Sequence, residues 1–407
     1  KNLLGISSKD SNALQLMNLL GNLKGPIMKV AQILATIPGA LPKEYSEHLA
    51  KLQSEAPSMG RLFVKRRMKQ ELGNNWTSYF KNFDLSASKA ASLGQVHKAI
   101  KTKKVLACKL QYPNMESVIR ADLSQLKILM KIYKQIDDSI NTQDIYIELQ
   151  ERLEEEIDYK NELKNIIIYE KIFNKDKNIF IPKPDESLST SKLLTMEWLD
   201  GEPLTKFYNS EKKVKNNIAQ NLFNAWYLPF YRYGVIHGDP HPGNYTIGQQ
   251  GKTLNLLDFG CIRVFKAEFV EAVIQLYFAL KKKDRNQAAN AYSKWGFKSL
   301  NNKIIDALNV WALYLYGPLL ENKVRKIHDH NDASYGKELL NKVRKELKKY
   351  GGIKPPREFV LLDRAAIGLG SVFMNLNAEI NWHSLFMRMI HDFDVKQIKM
   401  RQKIVLK

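Results

Sequence analysis

Hydrophobic and polar positions follow two different periods along the 407-residue chain. Over about the first 85 residues the spacing is helical. Tyr45, Leu49 and Leu52 recur at i, i+4 and i+7 behind Pro42, and the apolar run Ile27 to Leu34 stops at Pro38-Gly39. From Leu85 the pattern shortens. Gln95 to Ile100 and Lys104 to Leu110 read as strands joined through Lys101–Lys103, which predicts a hairpin. Residues 143–173 are rich in charge and carry Leu149, Leu153 and Ile157 at four-residue intervals, which predicts one long helix. A second strand pair is predicted at Glu186–Leu188 and Lys192–Trp198, turning through Ser189–Ser191 and closing at Asp200-Gly201. The remainder reads as helical except between Gly234 and Gly260, where Gly and Pro punctuate the chain. There is no internal repeat, low-complexity tract or flexible linker, and the length fits two or three packed units.

Composition narrows the partners. Lys plus Arg number 63 against 42 Asp plus Glu, a formal charge of +21, which implies an anionic partner: nucleotide, nucleic acid or an acidic membrane surface. Nucleic acid is not expected, because neither a recognition motif nor an aromatic platform accompanies the basic residues. Cys108 and Cys261 are too far apart in sequence, and too isolated, for a disulfide framework or a zinc cluster. Both read as small core groups in a reducing compartment. No window supplies about 18 consecutive apolar residues, so no membrane-spanning helix is expected. The nearest stretch, Ala307–Leu320, reads as a buried helix, with a membrane-surface helix as the alternative. The chain starts at Lys1, so the absence of a targeting peptide is uninformative.

The sharpest chemical signal is His237-Gly238-Asp239-Pro240-His241-Pro242-Gly243-Asn244, with Asp258-Phe259-Gly260 fourteen residues further on. Phosphoryl transfer needs a carboxylate beside the attacking oxygen and an amide oxygen for a metal ion, the spacing of Asp239 and Asn244. A second carboxylate must end an apolar strand to meet Mg²⁺, and Leu254-Asn255-Leu256-Leu257 precedes Asp258. Lys109 at the end of Val105-Leu106-Ala107-Cys108 reads as a phosphate ligand, with a partner among the acids of 151–162. Where a kinase has a glycine-rich loop, Lys89-Ala90-Ala91-Ser92-Leu93-Gly94-Gln95 stands instead; alanine resists φ > 0, which predicts a stiffer turn. His237 and His241 read as residues that orient the Asp239 turn by hydrogen bonds.

These motifs, in this order, resemble the UbiB family of atypical protein-kinase-like proteins, the aarF-domain kinases. Ala90 to His97 is similar to the family's alanine-rich loop, and Lys109-Leu110-Gln111-Tyr112-Pro113 to its lysine strand. Glu156-Ile157-Asp158-Tyr159 with Glu162 resembles its Glu-x-Asp helix, Leu194 to Gly201 its hinge, and Lys29-Val30-Ala31-Gln32 its Lys-x-Gly-Gln motif. Ala31 departs from that motif's glycine and Lys89 from the loop's first alanine.

The resemblance implies an α+β, bilobal protein-kinase-like fold. Residues 1–85 would form a mainly helical N-terminal extension, 86–200 a small sheet-containing N-lobe and 201–407 a helical C-lobe with a helical C-terminal extension. It implies ATP or ADP with Mg²⁺, and support of ubiquinone or related prenyl-lipid synthesis at a membrane, more through ATP hydrolysis than through phosphorylation of a protein. Asp239 would act as base or water-positioning carboxylate, Asn244 and Asp258 as metal ligands, and Lys109 on the phosphates with Glu162 as its partner. Ala90, Ala91, Ser92, Leu93, Gly94 and Gln95 would cover the phosphates, and the backbone of Glu197, Trp198 and Leu199 would receive adenine. Lys29 and Gln32 would close over the site toward Glu156, Asp158 or Asp258 and obstruct protein substrates. Helical arithmetic of 100° per residue sets Asp158 in line with Glu162 but Glu156 about 160° away, so either the helix is distorted or the acids point apart. The implied partners are an anionic membrane surface and enzymes of prenyl-lipid biosynthesis, on the cytoplasmic or organellar matrix side. Two alternatives compete: a small-molecule phosphotransferase of the aminoglycoside or choline kinase kind, and a nucleotide-switched, non-enzymatic scaffold.

Overall fold

The computed structural model of the chain describes residues 59–91, 93–121, 123, 124, 127, 142–328, 333–350 and 356–407. The helices predicted at 27–34 and 42–52, with Lys29 and Gln32, lie outside these residues. Two compact units are present: one runs up to Lys164 and takes in Lys183–Trp198, and the other comprises Asn165–Pro182 and Leu199–Lys407.

In chain order the first half forms α1 (Arg61–Leu72), β1 (Asn82–Phe83), β2 (Lys89–Ala91), β3 (Gly94–Lys101), β4 (Lys104–Gln111), α2 (Thr142–Glu156), α3 (Tyr159–Phe173), β5 (Ile179–Phe180) and β6 (Leu193–Glu197). The first unit is built on a sheet of order β1-β3-β4-β6, with β2 also pairing β3 and every pair antiparallel. The β3–β4 hairpin closes Lys101 on Lys104, leaving Thr102 and Lys103 in the turn, and Thr102 takes φ 55°. Val64 and Met68 sit four residues apart on α1 and join Trp76, Phe80, Leu106, Cys108 and Leu110 in one buried cluster. Burying each such large side chain contributes about 1.5–3 kcal/mol. Burial also pushes the Cys108 thiol up to about 12, so this residue is an inert core group.

Two predicted elements are different in the structure. The single helix expected over 143–173 is two helices, interrupted at Ile157 and Asp158. Groups distant in sequence take the backbone there: Gln111 Nε2 donates to Ile157 O at 2.7 Å, and Tyr159 N donates to Ser191 O at 3.1 Å. The strand expected at Glu186–Leu188 is one turn of 3₁₀ helix, because Leu188 N bonds back to Asp185 O and the Thr195 hydroxyl takes Leu188 O.

The second unit continues with α4 (Lys212–Tyr233), β7 (Val235–His237), β8 (Tyr245–Gly248), β9 (Thr253–Leu256), β10 (Ile262–Val264), α5 (Ala267–Lys282), α6 (Arg285–Trp295), α7 (Asn302–Leu320), α8 (Ala333–Lys349), α9 (Arg357–Leu376), α10 (Trp382–Ile390) and α11 (Val395–Val405). α4 ends at Gly234, whose φ of 64° turns the chain directly into β7. β7 pairs β10, while β8 and β9 form an antiparallel hairpin with β5 parallel to β9. The helix expected to be buried at 307–320 buries one face only: Leu308, Trp311, Ala312 and Tyr316 are inside, while Val310 and Leu313 are exposed. Among the described residues no helix is long and apolar enough to cross a membrane.

Candidate active site

In the second unit, strand pairing puts the motif residues at one end of two short ladders. Tyr245 pairs Leu256 at the open end of the β8–β9 hairpin, so Asn244 and Leu257, one step beyond, face each other, and Leu257 N donates to Asn244 O at 2.8 Å. Asp258 follows directly. His237 ends β7 opposite Ile262, which brings the start of the Asp239 turn beside the Asp258-Phe259-Gly260 segment.

His237 ties the two motifs together. It is fully buried, and its Nε2 lies 2.7 Å from Asp258 O while its Nδ1 lies 3.1 Å from Asp239 N. A carbonyl only accepts and a backbone N–H only donates, so the ring is the Nε2–H tautomer with a bare Nδ1. Tyr169, Trp226 and Phe259 surround the ring at centroid distances of 6.3, 5.2 and 6.3 Å, which holds its plane. His241 plays a local part: its Nδ1 accepts from Gly243 N at 3.1 Å and caps the short turn before β8.

Asn244 Nδ2 donates to Asp239 Oδ2 at 2.9 Å and to Asp239 O at 3.1 Å. With the amide nitrogen on Asp239, Asn244 Oδ1 is left as an acceptor of the kind a hard cation takes. The Asp258 carboxylate is fixed by Gly260 N at 3.0 Å on Oδ1. An amide oxygen and a carboxylate suit Mg²⁺, which uses few protein ligands and completes its shell with phosphate and water. Among the described residues there is no group of three or more His, Cys, Asp or Glu that could hold a metal ion.

In the first unit, Lys109 lies on the central strand β4, between Val96 of β3 and Leu194 of β6. Its Nζ reaches both Glu162 oxygens at 2.9 Å, with only 4% of the Glu162 side chain exposed, and stands 5.2 Å over the Tyr159 ring. Ion pair and ring together hold a cation in a fixed place, so it does not sweep as a solvated lysine does.

The alanine-rich segment closes as a tight β2–β3 hairpin, with Ala91 paired to Gly94 and Ala90 to Gln95. Ser92 lies outside the described residues. At Gly94 a Cβ would fall 2.3 Å from Leu110 O and 2.8 Å from Tyr159 Oη, so only glycine fits. Leu93 and Gln95 are buried; Gln95 Oε1 accepts from Met59 N and its Nε2 bonds His97, so both side chains serve the interior. At the expected adenine position, Glu197 N already donates to Lys183 O and Trp198 N to Val105 O, each within the first unit; Leu199 begins a stretch of the second.

The three acids of the motif, Glu156 and Asp158 expected toward Lys29 and Glu162 toward Lys109, divide. Glu162 meets the lysine, whereas exposed Asp158 caps α3 by accepting from Lys160 N at 3.0 Å, and Glu156 ends α2. Of the two outcomes the helical arithmetic allowed, distortion is the one present: the helix breaks between Glu156 and Tyr159. Cys261, expected in the core, is only half-buried, its carbonyl accepting from Gly238 N at 2.6 Å. Sequence reasoning missed Asn165, whose Nδ2 holds Phe259 O at 2.9 Å, and Tyr169, whose ring packs 5.4 Å from that of Phe259. The signal was the i, i+3, i+7 spacing of Glu162, Asn165 and Tyr169 along one helix.

Residues 51–292 match the profile described as the ABC1 atypical kinase-like domain. The chain is 25% identical over 380 residues to the atypical kinase COQ8, mitochondrial, of Saccharomyces cerevisiae, covering 93% of this chain and 76% of that protein. It is 31% identical over 271 residues to the AarF domain-containing protein kinase 1 of Gallus gallus, covering 64% of this chain and 52% of that protein. Among solved structures, that of Rv3197 with erythromycin, from Mycobacterium tuberculosis, is similar at a TM-score of 0.65 and 27% identity, covering 94% of this chain and 96% of that one.

Proposed function

Because the chain belongs to the ABC1/AarF atypical kinase-like family, the UbiB family, we propose that it binds ATP or ADP with Mg²⁺ and hydrolyses ATP in support of ubiquinone or related prenyl-lipid biosynthesis at a membrane. The observation that supports this best is the division of labour within Asn244. Its amide nitrogen holds Asp239 at two oxygens, and its amide oxygen is left for a cation beside Asp258.

In this reading Asn244 and Asp258 hold Mg²⁺, which when bound neutralises phosphate charge and polarises the terminal phosphoryl group. Lys109, kept in place by Glu162, binds the phosphates, with the backbone of the Ala90–Gln95 hairpin over them. The main chain of Glu197 to Leu199 receives the adenine. Asp239 orients the attacking water and takes its proton; Asn244 Nδ2 and His241 N fix the direction of its carboxylate, and His237 fixes its main chain. Lys29 and Gln32, through Glu156, Asp158 or Asp258, limit access by protein substrates in this reading. Residues 1–85, 86–200 and 201–407 then serve as extension, N-lobe and C-lobe.

The test is phosphate release from ATP and Mg²⁺ by the purified protein. Asp258→Asn is expected to lower the rate by about 10²-fold or more. Equal rates would reject the metal assignment. ATP consumption that matches a phosphorylated product in a panel of hydroxyl acceptors would turn the reading to small-molecule phosphotransfer.

A further inference from the structure

α9 passes the Asp239 turn at a glycine. A Cβ built on Gly368 would fall 2.6 Å from Pro240 Cγ and 3.5 Å from its Cδ. Ordinary carbon–carbon contact is about 3.5–4.0 Å, so the space is short by about 1 Å. Gly368 does not have the left-handed backbone that would demand glycine, and glycine is a poor residue in a helix interior. What the position uses is the missing side chain.

Neither partner yields easily. Pro240 is buried, and its ring closes on its own backbone nitrogen, so Cγ cannot swing aside as the end of a flexible chain would. α9 is anchored on both sides of the glycine. Ala365, Leu369, Val372 and Phe373 are buried, the Phe373 ring packs 4.7 Å from Trp382, and Phe359 packs 5.4 Å from Trp295. Added bulk at 368 therefore moves Pro240, and with it the adjoining Asp239.

We infer that Gly368 is a positioning residue: its bare Cα on α9 sets the height of Pro240 and so the aim of the Asp239 carboxylate toward Asn244. The effect on rate rests on the proposed ATPase, while the effect on the turn does not. The experiment reads both in the full-length protein, by hydrogen-exchange mass spectrometry of the 237–244 segment and by steady-state ATP hydrolysis.

Gly368→Ala is expected to speed exchange at Asp239, Gly243 and Asn244 at least tenfold. It should lower kcat by about 10- to 100-fold, the cost of misplacing a reacting group by about 1 Å, with KM for ATP nearly unchanged. Pro240→Ala keeps Cβ, 3.9 Å from the added atom, and removes Cγ. Joined to Gly368→Ala it should return exchange and kcat to those of Pro240→Ala alone. Gly370→Ala is the control, since its Cβ meets nothing nearer than His328 Nε2 at 3.9 Å.

Wild-type exchange in Gly368→Ala overturns the inference. So does faster exchange spread over all helices without rescue by Pro240→Ala, which would mark a general loss of stability. If the wild type shows no turnover, the ATPase reading fails, and the exchange and rescue results still decide the role of Gly368.

Discussion

At the scale of single residues, His97 shows how a buried polar group is held in one state. Its Nδ1 faces Asp84 O at 2.8 Å, so that nitrogen carries the proton; Nε2 is then the acceptor for Gln95 Nε2 at 2.8 Å, and Gln95 Oε1 takes Met59 N at 2.7 Å. Charging His97 would set two donors against each other, and flipping the Gln95 amide would only move the clash to Met59. Burial lowers the His97 pKa from its ordinary value, against hydrogen bonds to Asp84 and Ser86 that raise it. The unfolded chain binds a proton near pH 6.5 while the folded chain remains neutral. Stability is therefore full above that pH and falls as pH drops below it, by up to about 1.4 kcal/mol per pH unit. Denaturant unfolding at pH 8, 7, 6 and 5.5 should show this slope. His97→Phe should lose about 1–3 kcal/mol at pH 8 and respond less to pH; an equal slope in wild type and variant would assign the effect to other groups.

At the scale of elements, the break between α2 and α3 leaves Asp158 and Glu162 with different partners. Asp158 starts α3 by accepting from Lys160 N, and Glu162, one turn on, meets Lys109. Asp158→Ala should cost about 0.5–2 kcal/mol, while Asp158→Asn, which keeps the cap, should cost a few tenths at most. Thermal melts of the two variants decide this, and equal losses would show that the charge matters and not the cap. The break also marks the limit of what the residue pattern reveals. The Asp239–Asn244 pairing, the β3–β4 hairpin and the apolar strand before Asp258 all rest on bonds between near neighbours, so spacing discloses them. The α2–α3 break depends on Gln111 and Ser191, which lie 46 and 32 positions from their partners Ile157 and Tyr159, and four-residue periodicity continues straight through it. Likewise Glu186–Leu188 stands before the Ser189–Ser191 turn and the strand that follows, as the first arm of a hairpin would, but bonds to Asp185 and Thr195 curl it into a 3₁₀ turn. Gly368 was invisible because nothing in a helical run of apolar residues discloses a proline ring 128 positions earlier.

At the scale of the whole molecule, the charge of +21 is not absorbed by the site, since Lys109 is already matched by Glu162. α11 offers one place where the surplus gathers beside apolar surface. Its inner face buries Ile398 and Val405, and Gln402 Nε2 fastens it to Phe265 O. Its outer face exposes Met400 and Ile404, 59% and 61% accessible, among Lys396, Lys399 and Lys403, with exposed Leu406 and Lys407 just beyond. Lys399 is paired with Glu268, which leaves Lys396 and Lys403 as the stronger contributors. Apolar side chains between lysines on one helical face suit the boundary of an anionic bilayer, where each lysine contributes about 1 kcal/mol and each apolar group adds a part that salt does not screen. Binding to vesicles with acidic headgroups should therefore weaken as salt rises toward 0.5 M. Lys396→Gln and Lys403→Gln should each reduce partitioning about fivefold at low salt. Ile404→Ser should reduce the binding that remains at high salt, because it removes buried apolar area and no charge. Co-sedimentation with acidic and with neutral vesicles separates the two contributions. Equal binding to both kinds of vesicle, or unchanged binding in all three variants, would remove α11 as the contact and direct the excess charge to another anionic partner.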